Sequence, residues 1–332
     1  MKFLVIGCGS IGRRHIRNLQ ALGAGDVIAQ DIDGERCRRV EEEYGIKAYN
    51  GLSTALAQNP DVALVCTPTS LHTACALPAA ENGCHLFIEK PLSHSMEGVD
   101  ELISVVKQRE LITLVGCNMR FHPGILEMKR LLDNDSIGRV LCARLQTGQY
   151  LPGRHPWEDY RTGYAARREL GGGIILDGIH EIDYITWLLG GVARVFCFAG
   201  RLSTLEIDTE DTAEILLNFE SGTIAEVHLD YVQRTPARTC QLIGEEGTIL
   251  WDINKKQVEL YTAAGKEWQV FPQPPDYDIN RMYIDEIQHF IDCLDGKVQP
   301  MQDIAAGRKA LQIALAARES AQTGKMIRLE ED

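Results

Sequence analysis

Two stretches far apart in the chain contain side chains that could move a proton. Lys90 follows the apolar run His85-Leu86-Phe87-Ile88, and a lysine at the end of a strand could bind a substrate hydroxyl and favour its alkoxide. His180 is flanked by Asp177 and Asp183, which suits a proton acceptor that titrates near neutrality. Each stretch also has a simpler interpretation, as a lysine in a surface turn and as a histidine among solvated acids.

The second stretch begins with Gly171-Gly172-Gly173 and continues to Tyr184. If this stretch is helical, Asp177, His180, Asp183 and Tyr184 share one side of the helix. The same residues could bind a metal, but no further group of ligands is evident in the sequence, so we predict no metal.

A glycine-rich turn at the start of the chain predicts a dinucleotide site. The apolar run Lys2 to Ile6 is followed by Gly7-Cys8-Gly9-Ser10-Ile11-Gly12 and then by a helical pattern to Leu22. In such a turn Gly7 permits the bend, Gly9 admits a pyrophosphate and Gly12 lets helix and strand approach. Ser10 and Ile11 would supply N–H groups at the helix N-terminus.

Asp31 ends the second apolar run, nineteen residues after Gly12, where a carboxylate could bind an adenosine ribose and repel a 2′-phosphate. The following Ile32-Asp33-Gly34 contains no arginine, and Arg36 and Arg38 come a turn later. We therefore expect NAD to be preferred over NADP.

Alternating strands and helices continue to about residue 121, which predicts right-handed βαβ units and a doubly wound parallel sheet. Ligands of such folds lie at the carboxyl ends of the strands. The polar residues expected at those ends are Thr67, Glu89, Lys90, Asn118 and Arg120. We predict a nucleotide-binding domain over 1–121.

From residue 122 the pattern changes to a helix, Pro123 to Leu132, and then to eight alternating segments that suggest an antiparallel meander. One helix, Ile179 to Leu189, interrupts these segments, and two helices close the chain. The prediction is an α+β domain over 122–332 with a large, open, mainly antiparallel sheet. Whether the last helix packs back on the first domain stays open.

Composition and charge disfavour several classes of protein. The chain has 332 residues and a formal net charge of −13, which disfavours nucleic-acid binding. No apolar run approaches the length of a membrane span, and the first run is too short for a signal peptide. The ten cysteines are scattered without a C-x-x-C pair, as expected for reduced core residues of a cytoplasmic protein.

Taken together, four motifs resemble the Gfo/Idh/MocA oxidoreductases, and the resemblance covers essentially the whole chain. The motifs are Gly7-Cys8-Gly9-Ser10-Ile11-Gly12, Cys66-Thr67-Pro68-Thr69-Ser70-Leu71-His72, Glu89-Lys90-Pro91 and Gly171-Gly172-Gly173 followed by His180-Glu181-Ile182-Asp183. The resemblance implies an NAD-dependent dehydrogenase acting on a sugar, sugar derivative or cyclitol. It also implies dimers or tetramers through the sheet of the second domain.

The resemblance assigns roles to individual residues. Lys90 looks like the catalytic lysine, His180 like the general base and Asp177 like its acidic neighbour, although the commoner family spacing from this aspartate to the histidine is four residues rather than three. The residues similar to the family's cofactor loop are Thr67, Pro68 and His72, with Glu89 beside Lys90. The residues expected in the substrate pocket are Asn118, Arg120, Tyr164 and Asp183, together with Lys90 and His180.

The segment from Leu151 to Leu170 is rich in arginine and aromatic residues, which suggests an acidic substrate such as a sugar acid or a nucleotide sugar. Its arginines and its one histidine are Arg154, His155, Arg161, Arg167 and Arg168. Pairing with the acids of the same segment, or a subunit contact, is the alternative.

The sequence is also compatible with two other functions. One is a lyase, epimerase or glycosidase that reduces NAD transiently and restores it. The other is a dinucleotide-binding sensor without catalysis, which the presence of both Lys90 and His180 disfavours.

Overall fold

The computed structural model describes residues 1–154 and 156–329. The chain forms two compact units. The first unit combines Met1–Asn118 with Ile279–Leu311. The second unit combines Met119–Asp278 with the described residues from Gln312 onward.

The first unit contains a six-stranded sheet in which every neighbouring pair of strands is parallel. Its strands are β1 Lys2–Ile6, β2 Asp26–Gln30, β3 Lys47–Tyr49, β4 Val62–Val65, β5 His85–Glu89 and β6 Thr113–Gly116. The helices between them are α1 Ser10–Leu22, α2 Gly34–Tyr44, α3 Leu52–Leu56, α4 His72–Glu81 and α5 Val99–Gln108. The strand order β3-β2-β1-β4-β5-β6 confirms the predicted doubly wound fold.

Burial explains why these strands are almost continuously apolar. Apart from the first residue of β1, every residue of β1 and of β4 is buried, as expected when helices cover both faces of a parallel sheet. Helix α1 places Ile16 and Leu19 in the same core and ends at Gly23, which adopts the left-handed conformation with φ of 60°.

The second unit contains a nine-stranded sheet in the order β14-β13-β12-β11-β7-β10-β9-β8-β15. Its strands are β7 Val140–Gly148, β8 Val192–Gly200, β9 Thr212–Phe219, β10 Ile224–Asp230, β11 Ala237–Gly244, β12 Gly247–Asp252, β13 Gln257–Thr262, β14 Trp268–Pro272 and β15 Ile327–Arg328. The helices of this part of the chain are α6 Pro123–Asp133, α7 Leu151–Arg154, α8 Ile174–Asp177 and α9 Ile179–Leu189. The helices α10 Arg281–Leu294 and α11 Ile304–Thr323 follow.

The mainly antiparallel sheet is confirmed, but the predicted meander is wrong in one respect. Strand β7 lies between β10 and β11 and runs parallel to β10, whereas all the other neighbours in this sheet are antiparallel. Alternation of apolar residues shows that a strand has one buried face, but it does not specify which strand lies beside it.

One face of the nine-stranded sheet is open in this chain. The registers place Phe198, Leu216, Ile224 and Val270 on that face, and each of them is about half exposed or more. Apolar side chains of the other face, such as Val195 and Val227, are buried. The sheet is therefore amphipathic, with polar and large apolar residues mixed on its open side.

Local structure differs from the sequence expectation around His180. The stretch expected to be one helix through Asp177 and His180 is broken at Gly178. In the part of the chain that the structure describes, no helix is long and apolar enough to cross a membrane and no group of ligands suits a metal ion.

Candidate functional site

In the first unit, the strand registers bring the predicted polar residues to one edge of the sheet. Ile6 pairs with Gln30 and with Val65, and Val65 pairs with Ile88. Glu89 pairs in turn with Gly116. The residues that follow these strands therefore form a row along the carboxyl edge, in the order Asp31, Gly7, Thr67, Lys90 and Asn118.

The glycine-rich turn has the geometry that a bound pyrophosphate needs. A Cβ on Gly7, whose φ is 97°, would lie 2.8 Å from the carbonyl oxygen of Cys66, and one on Gly12 would lie 1.9 Å from that of Gly7. A Cβ on Gly9 would meet no described atom within 4 Å. Gly7 and Gly12 are thus required for packing, while Gly9 leaves open space in front of Ser10 and Ile11, the first residues of α1.

Asp31, the residue after β2, also holds the glycine-rich turn in place. Its Oδ2 accepts a hydrogen bond from the Cys8 N–H at 2.8 Å, and its Oδ1 accepts one from the Asp33 N–H at 2.9 Å. A guanidinium nitrogen of Arg36 lies 3.7 Å from Oδ2. A carboxylate has further acceptor capacity beyond these two bonds, so a ribose hydroxyl could still be bound.

The turn that contains Lys90 is held by two buried side chains. Glu89 accepts a hydrogen bond from the Lys90 backbone N–H at 3.2 Å, and the ring of His72 lies 2.8 Å from the carbonyl oxygen of Pro91. The other nitrogen of His72 lies 2.9 Å from the carbonyl oxygen of Thr67. Burial lowers the pKa of His72, and the hydrogen bonds to these two backbone oxygens act in the opposite direction. His72 therefore joins the loop after β4 to the loop after β5.

Pro68 begins the short 3₁₀ turn after β4, and Asn118 begins the one after β6. Asn118 is buried. His15, which no motif singles out, is a fully buried residue of α1 whose Nε2 lies 2.7 Å from the Glu89 carboxylate.

In the second unit, Asp177 accepts hydrogen bonds from three side chains that are distant in sequence. The donors are the guanidinium of Arg154, the hydroxyl of Tyr164 and, at 3.1 Å, the hydroxyl of Tyr231. The guanidinium of Arg154 also stacks over the Tyr231 ring, 4.9 Å from its centroid. Burial, reinforced by the charge of Asp177, raises the pKa of Tyr231 well above its usual range, so this phenol stays a donor. Sequence analysis missed Tyr231, because it lies in an ordinary strand-end pattern.

Arg120 and Asp183 bind each other. The Nε of Arg120 donates to Asp183 Oδ2 at 2.9 Å and its Nη2 donates to Oδ1 at 2.8 Å, a bidentate pair that is almost completely buried. The guanidinium also lies 5.3 Å from the centroid of the Trp187 ring. Arg120 therefore already has a carboxylate partner within the second unit.

His180 lies in the first turn of α9, directly after the break at Gly178, and is mostly buried. The next residue, Glu181, is fully buried and lies 2.8 Å from the Nε of Arg238, a β11 residue that sequence analysis also missed. Two buried ion pairs, Arg238–Glu181 and Arg120–Asp183, thus anchor the helix that contains His180.

The arginines of the Leu151–Leu170 segment have partners in the same unit. Arg161 pairs with Asp159 and Glu206, and Arg167 pairs with Glu169. Arg168 donates to the carbonyl oxygen of Asp208 at 3.0 Å. With Arg154 bound to Asp177, each arginine singled out in this segment has an oxygen acceptor of the chain itself. His155 lies outside the described residues.

Comparison with known proteins agrees with these features. The family model of an oxidoreductase NAD-binding Rossmann fold, named for GFO, IDH and MocA, matches residues 1–117, and the model of the family's C-terminal domain matches residues 125–250. Myo-inositol 2-dehydrogenase of Thermotoga maritima is 28% identical, with 100% of this chain and 99% of the relative covered. UDP-N-acetylglucosamine 3-dehydrogenase of Acidithiobacillus ferrooxidans is 28% identical, with 96% of each covered.

Among solved structures, a levoglucosan dehydrogenase in complex with NADH and levoglucosan has the same fold, with a TM-score of 0.90 over 100% of both chains at 19% identity. The two family models together span most of the chain and match its two parts in the family's order. The chain therefore belongs to the Gfo/Idh/MocA family of NAD-dependent oxidoreductases.

Proposed function

We propose that this protein transfers a hydride between NAD and a secondary hydroxyl of a neutral sugar or cyclitol. In this proposal residues 1–121 bind NAD and residues 122–332 bind the substrate. The observation that carries it is the row of residues at the carboxyl edge of the parallel sheet, where the glycine turn, Asp31 and Lys90 follow neighbouring strands. NAD, when bound, accepts or returns the hydride.

The residues of the first unit have separate tasks in this reaction. The backbone at Gly9 and the first turn of α1 bind the pyrophosphate, and the Asp31 carboxylate binds the adenosine ribose. Thr67 and Pro68 line the same edge, one strand further along. Lys90 donates a hydrogen bond to the substrate hydroxyl and stabilises the negative charge that develops on its oxygen.

His180 takes the hydroxyl proton when the alcohol is oxidised and returns it when the ketone is reduced. Its helix is held by the ion pairs of Asp183 and Glu181, which fixes the backbone from which the imidazole projects. Asp177, fixed by Arg154, Tyr164 and Tyr231, supports the same segment. Asn118 and Tyr164 remain proposed substrate contacts.

Charge pairing supports a neutral substrate. An anion that bound Arg120 would have to displace the Asp183 carboxylate, and a buried pair is costly to break. The pairs of Arg161 and Arg167 are exposed and weaker, but their carboxylates already neutralise these arginines. A relative that acts on a UDP-sugar keeps an acidic substrate as the second candidate.

A panel of substrates tests the function and the charge together. We expect NADH absorbance to rise with neutral inositols or sugars, with a KM that is insensitive to ionic strength between about 0.02 and 0.3 M. A sugar acid or nucleotide sugar with a higher kcat/KM, and with a KM that rises with salt, would contradict the neutral assignment. Consumption of substrate without net NADH would indicate transient oxidation instead.

We also propose that the open face of the nine-stranded sheet associates with a second copy of the chain. Phe198 and Ile224 are large apolar residues that are 70% and 55% exposed there, an arrangement typical of interaction surfaces. Sedimentation at micromolar concentration should show dimers or tetramers, and Phe198→Glu together with Ile224→Glu should shift them toward monomer. A monomeric wild-type protein would rule this out.

A further inference from the structure

His15 and Glu89 form a buried contact between the nucleotide-binding helix and the strand that leads to Lys90. His15 is fully buried on α1, five residues after its first residue, and its Nε2 lies 2.7 Å from Glu89 Oε1. Because the carboxylate can only accept when ionised, Nε2 must be the donor in this contact.

Packing fixes the ring of His15 in this orientation. Phe87 and Glu89 are two residues apart on β5 and therefore point to the same side of the strand. The edge-to-face contact between His15 and Phe87, with ring centroids 5.0 Å apart, holds the imidazole on that side. Tyr283 of α10 makes a second edge-to-face contact with the ring, with 6.4 Å between centroids.

The second oxygen of the same carboxylate controls the backbone at Lys90. Glu89 Oε2 accepts the Lys90 N–H at 3.2 Å, so two successive hydrogen bonds connect α1 to the Lys90 backbone. His72 holds the following residue, Pro91, through its carbonyl oxygen. The turn is thus held on both sides, and the Glu89 side leads to the helix that begins at the pyrophosphate turn.

We propose that His15 is a positioning residue for Lys90, acting through Glu89. This inference rests on the proposed function, in which Lys90 binds the substrate hydroxyl. Without the His15 donor, the Glu89 carboxylate would be buried with one oxygen unsatisfied, and it would have to take up a proton or turn toward water. Either change moves the acceptor of the Lys90 N–H, and small displacements of a catalytic group slow the chemical step strongly.

Two substitutions of His15 test the hydrogen-bond donor separately from the imidazole ring. In His15→Gln the amide Nε2 reaches about as far as the imidazole Nε2, whereas the shorter amide of His15→Asn does not reach Glu89. We expect His15→Asn to lower kcat about 10- to 100-fold and His15→Gln to stay within about threefold of wild type. The NADH dissociation constant, measured by fluorescence, should change less than about threefold in both.

The matched control is His85→Leu, which removes a half-buried histidine from the opposite end of β5. This variant should lose stability without losing kcat. The deuterium isotope effect on kcat should rise in His15→Asn only, because hydride transfer becomes more fully rate-limiting. Equal kcat values for His15→Asn and His85→Leu, or a parallel rise in the NADH dissociation constant, would overturn the proposal.

The Lys90→Met variant distinguishes failure of this inference from failure of the proposed function. If His15 acts through Lys90, adding His15→Asn to Lys90→Met should lower kcat by less than about twofold more. A full additional loss overturns the positioning role and leaves the function of Lys90 intact. Wild-type kcat in Lys90→Met alone overturns both, because the proposed function itself then fails.

Discussion

Lys90 and Asp177 are fixed in two different ways. Lys90 follows a strand of a parallel sheet, and backbone atoms of its turn are held by Glu89 and His72. Asp177 is the last residue of the short helix α8 and is held by side chains from three separate parts of the second unit, Arg154, Tyr164 and Tyr231. Regular sheet geometry thus positions Lys90, whereas the position of Asp177 depends on side-chain partners distant in sequence.

The largest expected effect tests the strand-end position. Lys90→Met should lower kcat about a hundredfold or more, because it removes a charge that stabilises the developing alkoxide. Binding of NADH should persist, as measured by fluorescence titration. Lys107→Met, a change at an exposed lysine of α5, is the control and should keep wild-type kcat. Near-normal turnover in Lys90→Met would make this lysine an ordinary turn residue.

The next effect concerns the helix of the second unit. His180→Ala should lower kcat for alcohol oxidation about 10²- to 10⁴-fold and flatten the pH dependence of kcat/KM near neutrality, since the proton acceptor is lost. Asp177→Asn should have the smaller effect, because its described donors place it in the network around Arg154 and Tyr231. Equal losses in the two variants would show that Asp177 acts together with His180 in the proton transfer.

A third change tests whether the ion pairs of the second unit are structural. Arg120→Met leaves Asp183 buried without its main partner and should cost about 3–5 kcal/mol of unfolding free energy. The double variant Arg120→Met with Asp183→Leu should recover most of that loss. Arg38→Met, which breaks the exposed pair with Glu35, is the control and should cost less than about 0.5 kcal/mol. Urea denaturation measures all three, and a stable Arg120→Met protein would contradict a structural role.

The fourth change returns to the first unit. Asp31→Ala should reduce the preference for NAD over NADP about tenfold in kcat/KM, because the carboxylate that repels a 2′-phosphate is removed and Arg36 remains nearby. The variant also loses the bond to the Cys8 N–H, so kcat/KM should fall with both cofactors. Equal use of NADP by the wild type would show that Asp31 does not set cofactor choice.

The smallest effect concerns the open sheet face. Hydrogen bonds to Asp230 and Glu214 raise the pKa of His228 to about 9, against the opposing effect of burial. The raised pKa means that the charged ring stabilises the fold fully below about pH 6.5 and that this contribution disappears as the pH rises through 9. The unfolding free energy of the wild-type protein should fall by at most about 1 kcal/mol over this pH range, and that of His228→Gln should not fall. Thermal unfolding from pH 6 to 9.5 measures this change. If stability depends on pH with the same slope in the wild type and in His228→Gln, the pairing of His228 with Asp230 and Glu214 is contradicted.

The same contrast explains how much the sequence could predict. The glycine turn, the doubly wound parallel sheet of the first unit, the strand-end position of Lys90 and the helix of His180 follow from local motifs and from the rule that parallel strands present ligands at one edge. The pairings of Asp177 with Arg154, Tyr164 and Tyr231, and of Arg120 with Asp183, could not be predicted, because the two sides of each pairing come from segments distant in sequence. For the same reason the place of β7 in the second sheet was missed.

One feature of the first unit bears on how the chain folds during its synthesis. Ile287 and Phe290 of α10 are buried in the same core as Phe3 and Leu114, although some 170 residues separate them from the end of β6. At about 5–20 residues per second, a ribosome needs roughly ten seconds or more to reach them after completing β6. Until then the nascent nucleotide-binding unit has an open hydrophobic cleft where α10 later packs. Chaperones that bind exposed apolar surface would act during that interval, and the dinucleotide site would mature only after the second unit has already been translated.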